Sequence, residues 1–294
     1  MNVLVNGASG YIGYHLTKNL LENGHRVYAV CRTSEGHLTE FAGNEDLTVI
    51  KTEQSVLEEK IKGLNIDVWY QLLWDGALGE KRSDVNLQLT NVKMYLDALN
   101  TAEKMGCKKI IYTGTVYEKL SENILKNDAA NMHSFYILAK KQAHDLTLQL
   151  SKGMKIGYAW VNFCHPMGKY MNPKQVGPYA LELFKRKEKG CFGPCRHLFD
   201  IIPVSYLADG LRLLGERDTH KKEYYVGSGA PRLLRDILTD MAKECGYDGP
   251  IGFDERPDDG LVFEAEWFDT KDFRDDTDLP YRYGISDVVR ELPD

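Results

Sequence analysis

Two side chains in the middle of the chain, Tyr136 and Lys140, have the types and the spacing needed for proton transfer. They are four residues apart, so a helix would place both on one face. A lysine ammonium beside a phenol favours the phenolate and lowers a tyrosine pKa that starts at about 10. Such a tyrosine can exchange a proton with an alcohol or a carbonyl near neutral pH. The spacing alone is a weak signal, and its place in the fold decides its value.

A glycine-rich turn near the first residue predicts a phosphate-binding site. The apolar run at 2–6 leads into Gly7, Gly10 and Gly13, after which a helical pattern starts. Strand, glycines and helix in this order form the turn that holds a pyrophosphate at the positive end of a helix. Gly7 allows the tight turn, Gly10 the approach of the phosphate, and Gly13 close packing of the helix. Taken alone, the motif could also be an ordinary glycine-rich turn.

The end of the predicted second strand indicates which dinucleotide binds. NAD-binding folds usually place Asp or Glu there to bond the ribose 2′-hydroxyl, whereas here Cys31 is followed by Arg32. A guanidinium offers a planar fork of donors that suits a 2′-phosphate. The sequence therefore favours NADPH over NADH. Arginine alone does not exclude NAD, and a solvated surface arginine is the alternative interpretation.

These residues need a scaffold that brings strand ends together. Short apolar runs alternate with helical patterns, which predicts strands at 2–6, 27–31, 47–51, 67–73, 109–113 and 155–161 and helices at 10–23, 84–105 and 133–151. This alternation predicts an α/β protein with a doubly wound parallel sheet, the Rossmann fold. Right-handed crossovers would then place the carboxyl ends of the strands at one edge, where ligands bind.

The pattern changes after residue 162, where prolines and glycines interrupt it. Helices are predicted at 176–189, 205–216 and 232–245, and a strand at 199–204. We expect a dinucleotide-binding domain over 1–165, to which 198–226 returns. A smaller, interleaved substrate-binding domain would comprise 166–197 and 227–294.

Composition argues against several functional classes. A net charge of −6 speaks against nucleic acid or an anionic membrane as the main partner. We expect neither a transmembrane helix nor a signal peptide, and six scattered cysteines suit a reduced, cytoplasmic setting. Cys191, Cys195 and His197 lack an evident fourth ligand, so no metal is expected. Three histidines are expected on helix surfaces or in turns: His15, His25 and His144.

In their order along the chain, these features resemble the extended short-chain dehydrogenase/reductases, the NAD-dependent epimerase/dehydratase family. The resemblance is carried by Gly7-x-x-Gly10-x-x-Gly13, Asp67, Asn91-Val92, Thr113-Gly114-Thr115-Val116-Tyr117, Tyr136-x-x-x-Lys140, the segment 200–204 and Arg256-Pro257-Asp258-Asp259. It is closest to the branch that acts on nucleotide sugars, because the segment 71–76 is similar to one in oxidoreductases and epimerases of polysaccharide biosynthesis.

The resemblance implies roles for individual residues. Tyr136 would be the acid/base, Lys140 would lower its pKa and bind the nicotinamide ribose, and Thr115 would hold the substrate carbonyl, with Thr113 as the competing choice. The implied cofactor contacts are Gly7, Ser9, Gly10, Tyr11, Ile12, Gly13, Arg32, Leu72, Leu73, Trp74, Thr113, Tyr136, Lys140 and His165. The implied substrate contacts are Trp74, Thr115, Arg196 and Arg256.

The function implied by the resemblance is NADPH-dependent reduction of a keto group on a nucleotide-linked sugar, at C4 of a 4-keto-6-deoxy sugar. A dehydratase is not expected, because Val116-Tyr117 stands where that branch carries Asp-Glu, and Glu118 alone cannot replace both acids. An NAD-dependent 4-epimerase, reduction of a non-sugar carbonyl and a non-catalytic dinucleotide sensor remain alternatives. We also expect a homodimer formed through the helices at 84–105 and 133–151.

Overall fold

The computed structural model describes residues 1–126 and 133–292, and the chain divides into two units that interleave in sequence. The first unit is Met1–Asn162 with Ala208–Tyr224, and the second is Phe163–Leu207 with Tyr225–Asp294. The segment that returns to the first unit is therefore shorter than the predicted 198–226. It contains the larger part of one helix, residues 208–216, and the start of an edge strand, whereas residues 198–207 belong to the second unit.

The elements have the following bounds. The strands are β1 (Asn2–Asn6), β2 (Arg26–Cys31), β3 (Leu47–Lys51), β4 (Val68–Gln71), β5 (Lys109–Thr113), β6 (Gly157–Asn162), β7 (His165–Met167), β8 (Leu198–Phe199), β9 (Ile201–Pro203), β10 (Glu223–Tyr225) and β11 (Arg232–Leu233). The helices are α1 (Tyr11–Glu22), α2 (Leu57–Ile61), α3 (Val85–Lys104), α4 (Ser121–Lys126), α5 (Ser134–Ser151), α6 (Val176–Lys185), α7 (Val204–Glu216), α8 (Leu234–Glu244), α9 (Lys271–Thr277) and α10 (Ile285–Arg290).

Seven strands form one sheet in the order β10-β6-β5-β4-β1-β2-β3. The six strands from β6 to β3 pair in parallel, so the predicted α/β fold with a doubly wound parallel sheet is confirmed. The chain order changes direction at β1, which lies between β2 and β4. The carboxyl ends of these three strands therefore meet at the switch point where folds of this kind bind ligands.

The core of the first unit explains why these segments fold as they do. The apolar run Val3–Val5 of β1 is fully buried, as expected for a strand covered by helices on both faces. Helices α3 and α5 pack against each other, and their buried faces include Tyr95, Leu99 and Ile137. Helix α3 begins at a side-chain cap, because the Asp84 carboxylate accepts a hydrogen bond from the backbone N–H of Leu87 at 3.0 Å.

Several predicted boundaries are wrong, each for a local reason. The strand predicted at 67–73 ends at Gln71, because the N–H groups of Leu72 and Leu73 both turn to the carbonyl of Asn6. The strand predicted at 199–204 is two short strands that flank Asp200. The buried carboxylate of Asp200 accepts hydrogen bonds from the Tyr225 hydroxyl and the Ser228 backbone N–H, partners that lie outside both short strands.

In the second unit, α6 and α10 both pack against α8. The helix predicted at 176–189 stops at Lys185, and Lys187 then adopts a positive φ of 63° that a continuing helix does not allow. Within residues 1–126 and 133–292, no helix combines the length and the apolar character needed to cross a membrane.

Candidate active site

The glycine turn after β1 is packed too closely against neighbouring backbone to accept side chains at Gly7 and Gly13. Gly7 has a φ of +92°, and a Cβ there would lie 2.7 Å from the backbone nitrogen of Leu73. A Cβ on Gly13 would lie 2.2 Å from the carbonyl oxygen of Gly7, so only glycine lets α1 pack this close to the turn. Helix α1 starts after Gly10 without a side-chain cap. An anion is a natural partner for such a helix end.

A cavity of about 310 Å³ lies at the carboxyl ends of β1, β2 and β4. It is lined by residues of the first unit: Asn6, Gly7, Ser9, Gly10, Val30, Cys31, Arg32, Thr33, Ser34, Gln54, Leu72, Leu73 and Trp74. Seven of the fourteen predicted cofactor contacts are in this set. The seven that are not are Tyr11, Ile12, Gly13, Thr113, Tyr136, Lys140 and His165. The cavity has a volume at the lower end for ligand pockets, and its glycine cradle and uncapped helix suit a dinucleotide phosphate.

Arg32 lines this cavity, but its guanidinium already has a carboxylate partner. Its two terminal nitrogens donate to the two carboxylate oxygens of Asp75, at 2.6 and 2.8 Å. The Asn91 side chain fixes the backbone of Asp75, because its oxygen accepts from the Asp75 N–H at 2.9 Å and its nitrogen donates to the Asp75 carbonyl at 2.8 Å. Asn91 thus has a structural role here, and Asp75 is a residue that sequence analysis did not identify.

Trp74 connects the cavity to the predicted catalytic residues. Its indole N–H donates to the side-chain oxygen of Gln88 at 2.9 Å, which fixes the ring. The ammonium nitrogen of Lys140 lies 3.9 Å from the centroid of this ring. The Tyr136 ring meets it edge to face, with centroids 6.1 Å apart. Trp74, from the segment that follows β4, and the two residues of α5 therefore lie in contact.

Thr115, rather than Thr113, supplies a hydroxyl to Tyr136. Thr115 caps a short 3-10 helix, Val116–Leu120, where its hydroxyl oxygen accepts from the Tyr117 N–H at 3.3 Å and hydrogen-bonds the phenol of Tyr136. The Thr113 hydroxyl instead donates to the carbonyl of Gln71 on the neighbouring strand, at 3.4 Å. The hydroxyls of the two threonines thus have different partners, and that of Thr115 is the one that bonds Tyr136.

Burial and two charged side chains shift the pKa of Tyr136. Burial raises the pKa of its phenol, Glu118 raises it further, and the charge that lowers it is Arg82. The Lys140 ammonium donates to the carbonyl of Thr113 at 2.9 Å and to the hydroxyl of Tyr95 at 3.2 Å. Burial also lowers the pKa of Lys140 to about 7. Sequence analysis did not identify Arg82.

Glu118 is fully buried, and its carboxylate already has three partners. It accepts hydrogen bonds from the Trp160 indole N–H at 3.1 Å and the Asn162 side chain at 2.9 Å, and it contacts His144 Nδ1 at 2.9 Å.

The expectation that His144 lies on a helix surface or in a turn is wrong, because its ring is buried and stacks on Trp160. The same expectation is wrong for His25, which is buried next to Glu216.

Among the residues that the structure describes, potential metal ligands group at Glu118, His144 and Glu223, with ligand atoms within 4.8 Å of one another. The Lys119 ammonium forms an ion pair with the Glu223 carboxylate. With the three partners of Glu118, both carboxylates of this group therefore have partners within the protein. Cys191, Cys195 and His197, weighed as ligands from the sequence, lie in the second unit.

The remaining predicted site residues lie in the second unit. His165 is in β7, where its ring is buried and burial lowers its pKa to about 4. Arg196 donates to the carboxylate of Asp254 at 3.1 Å, and Arg256 donates to the hydroxyl of Tyr179 at 3.2 Å. Both arginines are exposed and hold local partners within the same unit.

Comparison with known proteins gives consistent matches. The model of the NAD dependent epimerase/dehydratase family matches residues 3–227. A dTDP-6-deoxy-L-talose 4-dehydrogenase (NAD(+)) of Aggregatibacter actinomycetemcomitans is 28% identical over 122 residues, which are 40% of this chain and 43% of that enzyme. A putative UDP-glucose 4-epimerase of Methanocaldococcus jannaschii is 22% identical over 89% of this chain and 88% of that protein.

A solved structure extends the similarity of fold over nearly the whole chain. The UDP-N-acetylglucosamine 4-epimerase of Methanobrevibacter ruminantium, in complex with UDP-N-acetylmuramic acid, has a TM-score of 0.81. It is 18% identical in sequence, and the alignment covers 99% of this chain and 96% of that one. At this level of identity the likeness concerns the fold.

Proposed function

The chain belongs to the NAD-dependent epimerase/dehydratase family, and from this premise we propose that it is an NAD-dependent 4-epimerase of a nucleotide-linked sugar. One observation carries the proposal: Trp74 lines the dinucleotide-type cavity and also contacts Tyr136 and Lys140. A proton-transfer group is therefore held beside the cavity, which is the arrangement that oxidation of an alcohol requires.

The side chains of the first unit would divide the chemistry as follows. A nicotinamide dinucleotide, when bound in the cavity, would take up a hydride and return it. The Thr115 hydroxyl and the Tyr136 phenol, which hydrogen-bond each other, would both hold the reacting sugar oxygen. Tyr136 would remove the hydroxyl proton during oxidation and give it back during reduction of the ketone. Glu118 is occupied by its three buried partners, so we assign it no proton transfer to the sugar.

The pairing of Arg32 supports NAD as the cofactor. Its planar fork of donors, which the sequence suggested for a 2′-phosphate, is bound at both nitrogens by Asp75. A 2′-phosphate would have to displace this carboxylate or tolerate its negative charge. We therefore propose NAD, and the NADPH interpretation is retained as the alternative that cofactor titration will test.

The second candidate function is net reduction of a 4-keto sugar, the function first inferred from the sequence. The similarity to a dTDP-6-deoxy-L-talose 4-dehydrogenase favours it, because the same residues catalyse ketone reduction and alcohol oxidation. The two functions differ in the use of cofactor. An epimerase returns its hydride in each cycle, whereas a reductase consumes one reduced cofactor per product.

The deciding experiment follows product and cofactor together. The purified protein is incubated with a panel of UDP- and dTDP-linked sugars and with 4-keto sugars, with NAD or NADPH added, while nicotinamide absorbance and product stereochemistry are recorded. We expect a C4 epimer to form without net change in reduced cofactor. Stoichiometric loss of NADPH with a 4-keto sugar, and no epimer from any sugar, would assign the protein to the reductases.

We further propose a homodimer formed through α3 and α5. Four large apolar side chains on these helices are more than a third exposed: Val85, Leu89, Leu146 and Leu150. Contact with a second copy would remove this apolar surface from water. Light scattering should give the mass of a dimer for the natural chain and of a monomer for Leu89→Glu. A monomeric natural chain would contradict the proposal.

A further inference from the structure

Arg82 is held against the face of the proposed acid/base. It lies in a short 3-10 helix, Gly79–Ser83, between β4 and α3. Its guanidinium carbon is 4.5 Å from the centroid of the Tyr136 ring and 5.9 Å from that of Tyr117. Both distances are within the range in which a cation is attracted to an aromatic face.

Two hydrogen bonds fix the guanidinium in this place. Its Nε donates to the carbonyl of Ala77 at 2.7 Å, and one terminal nitrogen lies 2.7 Å from Nδ1 of His133. Arginine has only donors, so Nδ1 of His133 is the acceptor and carries no proton. His133 caps α5, the helix that carries Tyr136. Arg82 thus connects the segment after β4 to the first turn of the catalytic helix.

On the basis of the proposed function, we propose that Arg82 is a positioning residue that orients the Tyr136 ring. Its guanidinium also supplies a permanent positive charge that favours the Tyr136 phenolate. It acts through Tyr136 and needs no contact with the sugar. The role is distinct from that of Lys140, whose ammonium is directed to Thr113 and Tyr95.

The protonation of Lys140 and Arg82 supports these separate roles. Burial lowers the pKa of Lys140 to about 7, so its charge is partly lost at neutral pH. A guanidinium keeps its proton throughout the pH range of a folded protein. Arg82 is therefore the cation near Tyr136 whose charge does not depend on pH.

Polar and titratable groups on several elements surround Tyr136. Glu118, on the 3-10 helix that follows β5, opposes the phenolate, whereas the hydroxyl of Thr115 favours it. Tyr95 on α3 has a pKa raised by burial and bonds Lys140. Against the burial of Tyr136 and the charge of Glu118, Arg82 and Thr115 are the groups that favour ionisation.

The test compares Arg82→Gln and Arg82→Lys with the natural chain and with Lys81→Gln, an exposed neighbour whose loss changes the net charge equally. Ionisation of Tyr136 is read directly as the ultraviolet difference absorbance of phenolate between each protein and its Tyr136→Phe form. This titration needs neither substrate nor cofactor, so it remains valid if the proposed sugar chemistry fails. The pH profile of kcat gives the second readout, and thermal unfolding reports the fold.

We expect Arg82→Gln to move phenolate formation, and the rising limb of kcat, to higher pH, because a positive charge that stabilised the phenolate is gone. At pH 7 kcat should fall about tenfold, the lower end of the effect of one nearby opposite charge. Arg82→Lys keeps the positive charge, so its phenolate midpoint should stay close to that of the natural chain, and Lys81→Gln should match the natural chain. Arg82→Met provides a second neutral variant if the glutamine form does not fold.

Two results would overturn the proposal. An unchanged midpoint of phenolate formation in both neutral variants would show that the charge of Arg82 does not act on Tyr136. Equal shifts in Arg82→Lys and Arg82→Gln would trace the effect to the lost hydrogen bonds at Ala77 and His133 rather than to charge. Absence of any sugar turnover, with the phenolate shift present, would remove the proposed function and leave the role of Arg82 in place.

Discussion

In the first unit, the side chains of Thr115, Tyr136 and Lys140 are each more than nine-tenths buried and hydrogen-bonded within the unit. In the second unit, Arg196 is 68% exposed and pairs with an exposed carboxylate. Arg256 is likewise exposed. Buried groups with fixed partners keep the geometry that proton transfer needs, whereas exposed arginines can rearrange around ligands of different shape.

The two units also differ in which residues adopt a positive φ. Among the described residues, the non-glycine positions with positive φ all lie in the second unit: Tyr170, Lys187, Cys195, Asp254 and Asp278. In the first unit such positions are taken by glycine, for example Gly7 and Gly24. Turns of the first unit are thus encoded by local sequence, whereas surrounding contacts must hold those of the second. Asp254, with φ of 63°, is also the partner of Arg196 and Arg235.

The largest expected effect tests whether chemistry is confined to the buried site. Tyr136→Phe should lower kcat by about 10³-fold, because the phenol that exchanges the proton is removed while the ring is kept. Cofactor binding, measured by calorimetric titration, should stay within about twofold of the natural chain. Tyr28→Phe is the matched control and should be silent. Residual kcat within tenfold, or loss of cofactor binding, would show that Tyr136 is structural.

The second effect tests whether the turns of the first unit require glycine. Gly13→Ala would place a Cβ 2.2 Å from the carbonyl of Gly7, so α1 must shift. We expect the free energy of unfolding to fall by about 2 kcal/mol and dinucleotide binding to weaken. Gly153→Ala is the control, because its added Cβ would have its nearest neighbour at 3.9 Å. Denaturant unfolding measures the stability of both variants. Equal stability of Gly13→Ala and Gly153→Ala would contradict this view of the turn.

A feature could be predicted from the sequence when the residues that form it lie close together along the chain. The glycine turn, the parallel sheet and the pair Tyr136 and Lys140 follow from spacing within single elements, and they were predicted. Asp75 and Arg82 were missed, because their roles come from partners far along the chain, such as Arg32 at 43 residues from Asp75. The available signal was position: both follow β4, whose carboxyl end lies at the ligand edge of the sheet.

His144 shows that part of the missing information was present. It lies four residues after Lys140 and eight after Tyr136, so all three share one face of α5. Since Tyr136 and Lys140 are the predicted catalytic residues, this spacing was an available signal that His144 is buried beside them. Its partner Glu118, 26 residues earlier, has no such periodic signal. In the second unit, helix ends depend on strained residues such as Lys187, which no sequence pattern marks.

A smaller effect tests the partner of Arg32 at the edge of the cavity. Asp75→Asn removes a negative charge and frees the guanidinium, so a 2′-phosphate gains a binding partner. The ratio of NADP to NAD affinity should rise about tenfold, as expected for one unscreened charge near a surface. Asp97→Asn, on the exposed side of α3, is the control. An unchanged ratio, determined by fluorescence titration with both cofactors, would mean that Arg32 does not contact this part of the cofactor.

The smallest effect tests the claim that the second unit recognises rather than reacts. The resemblance assigns Arg256 to a substrate diphosphate, and its present partner is the hydroxyl of Tyr179, a neutral group that a phosphate can replace. Arg256→Gln should raise KM about fivefold and leave kcat unchanged, because uniform binding is lost. Arg196→Gln should do less, since Asp254 keeps Arg235 as a partner.

Arg186→Gln supplies the control for Arg256→Gln, because Arg186 is exposed in the same unit and forms an ion pair with Glu182, one helical turn away. Steady-state kinetics with the nucleotide sugar that gives turnover measures all three variants. A fall in kcat at constant KM would place Arg256 among the groups that act in the transition state. The contrast between a buried reacting unit and an exposed recognising unit would then fail at the residue on which it depends most.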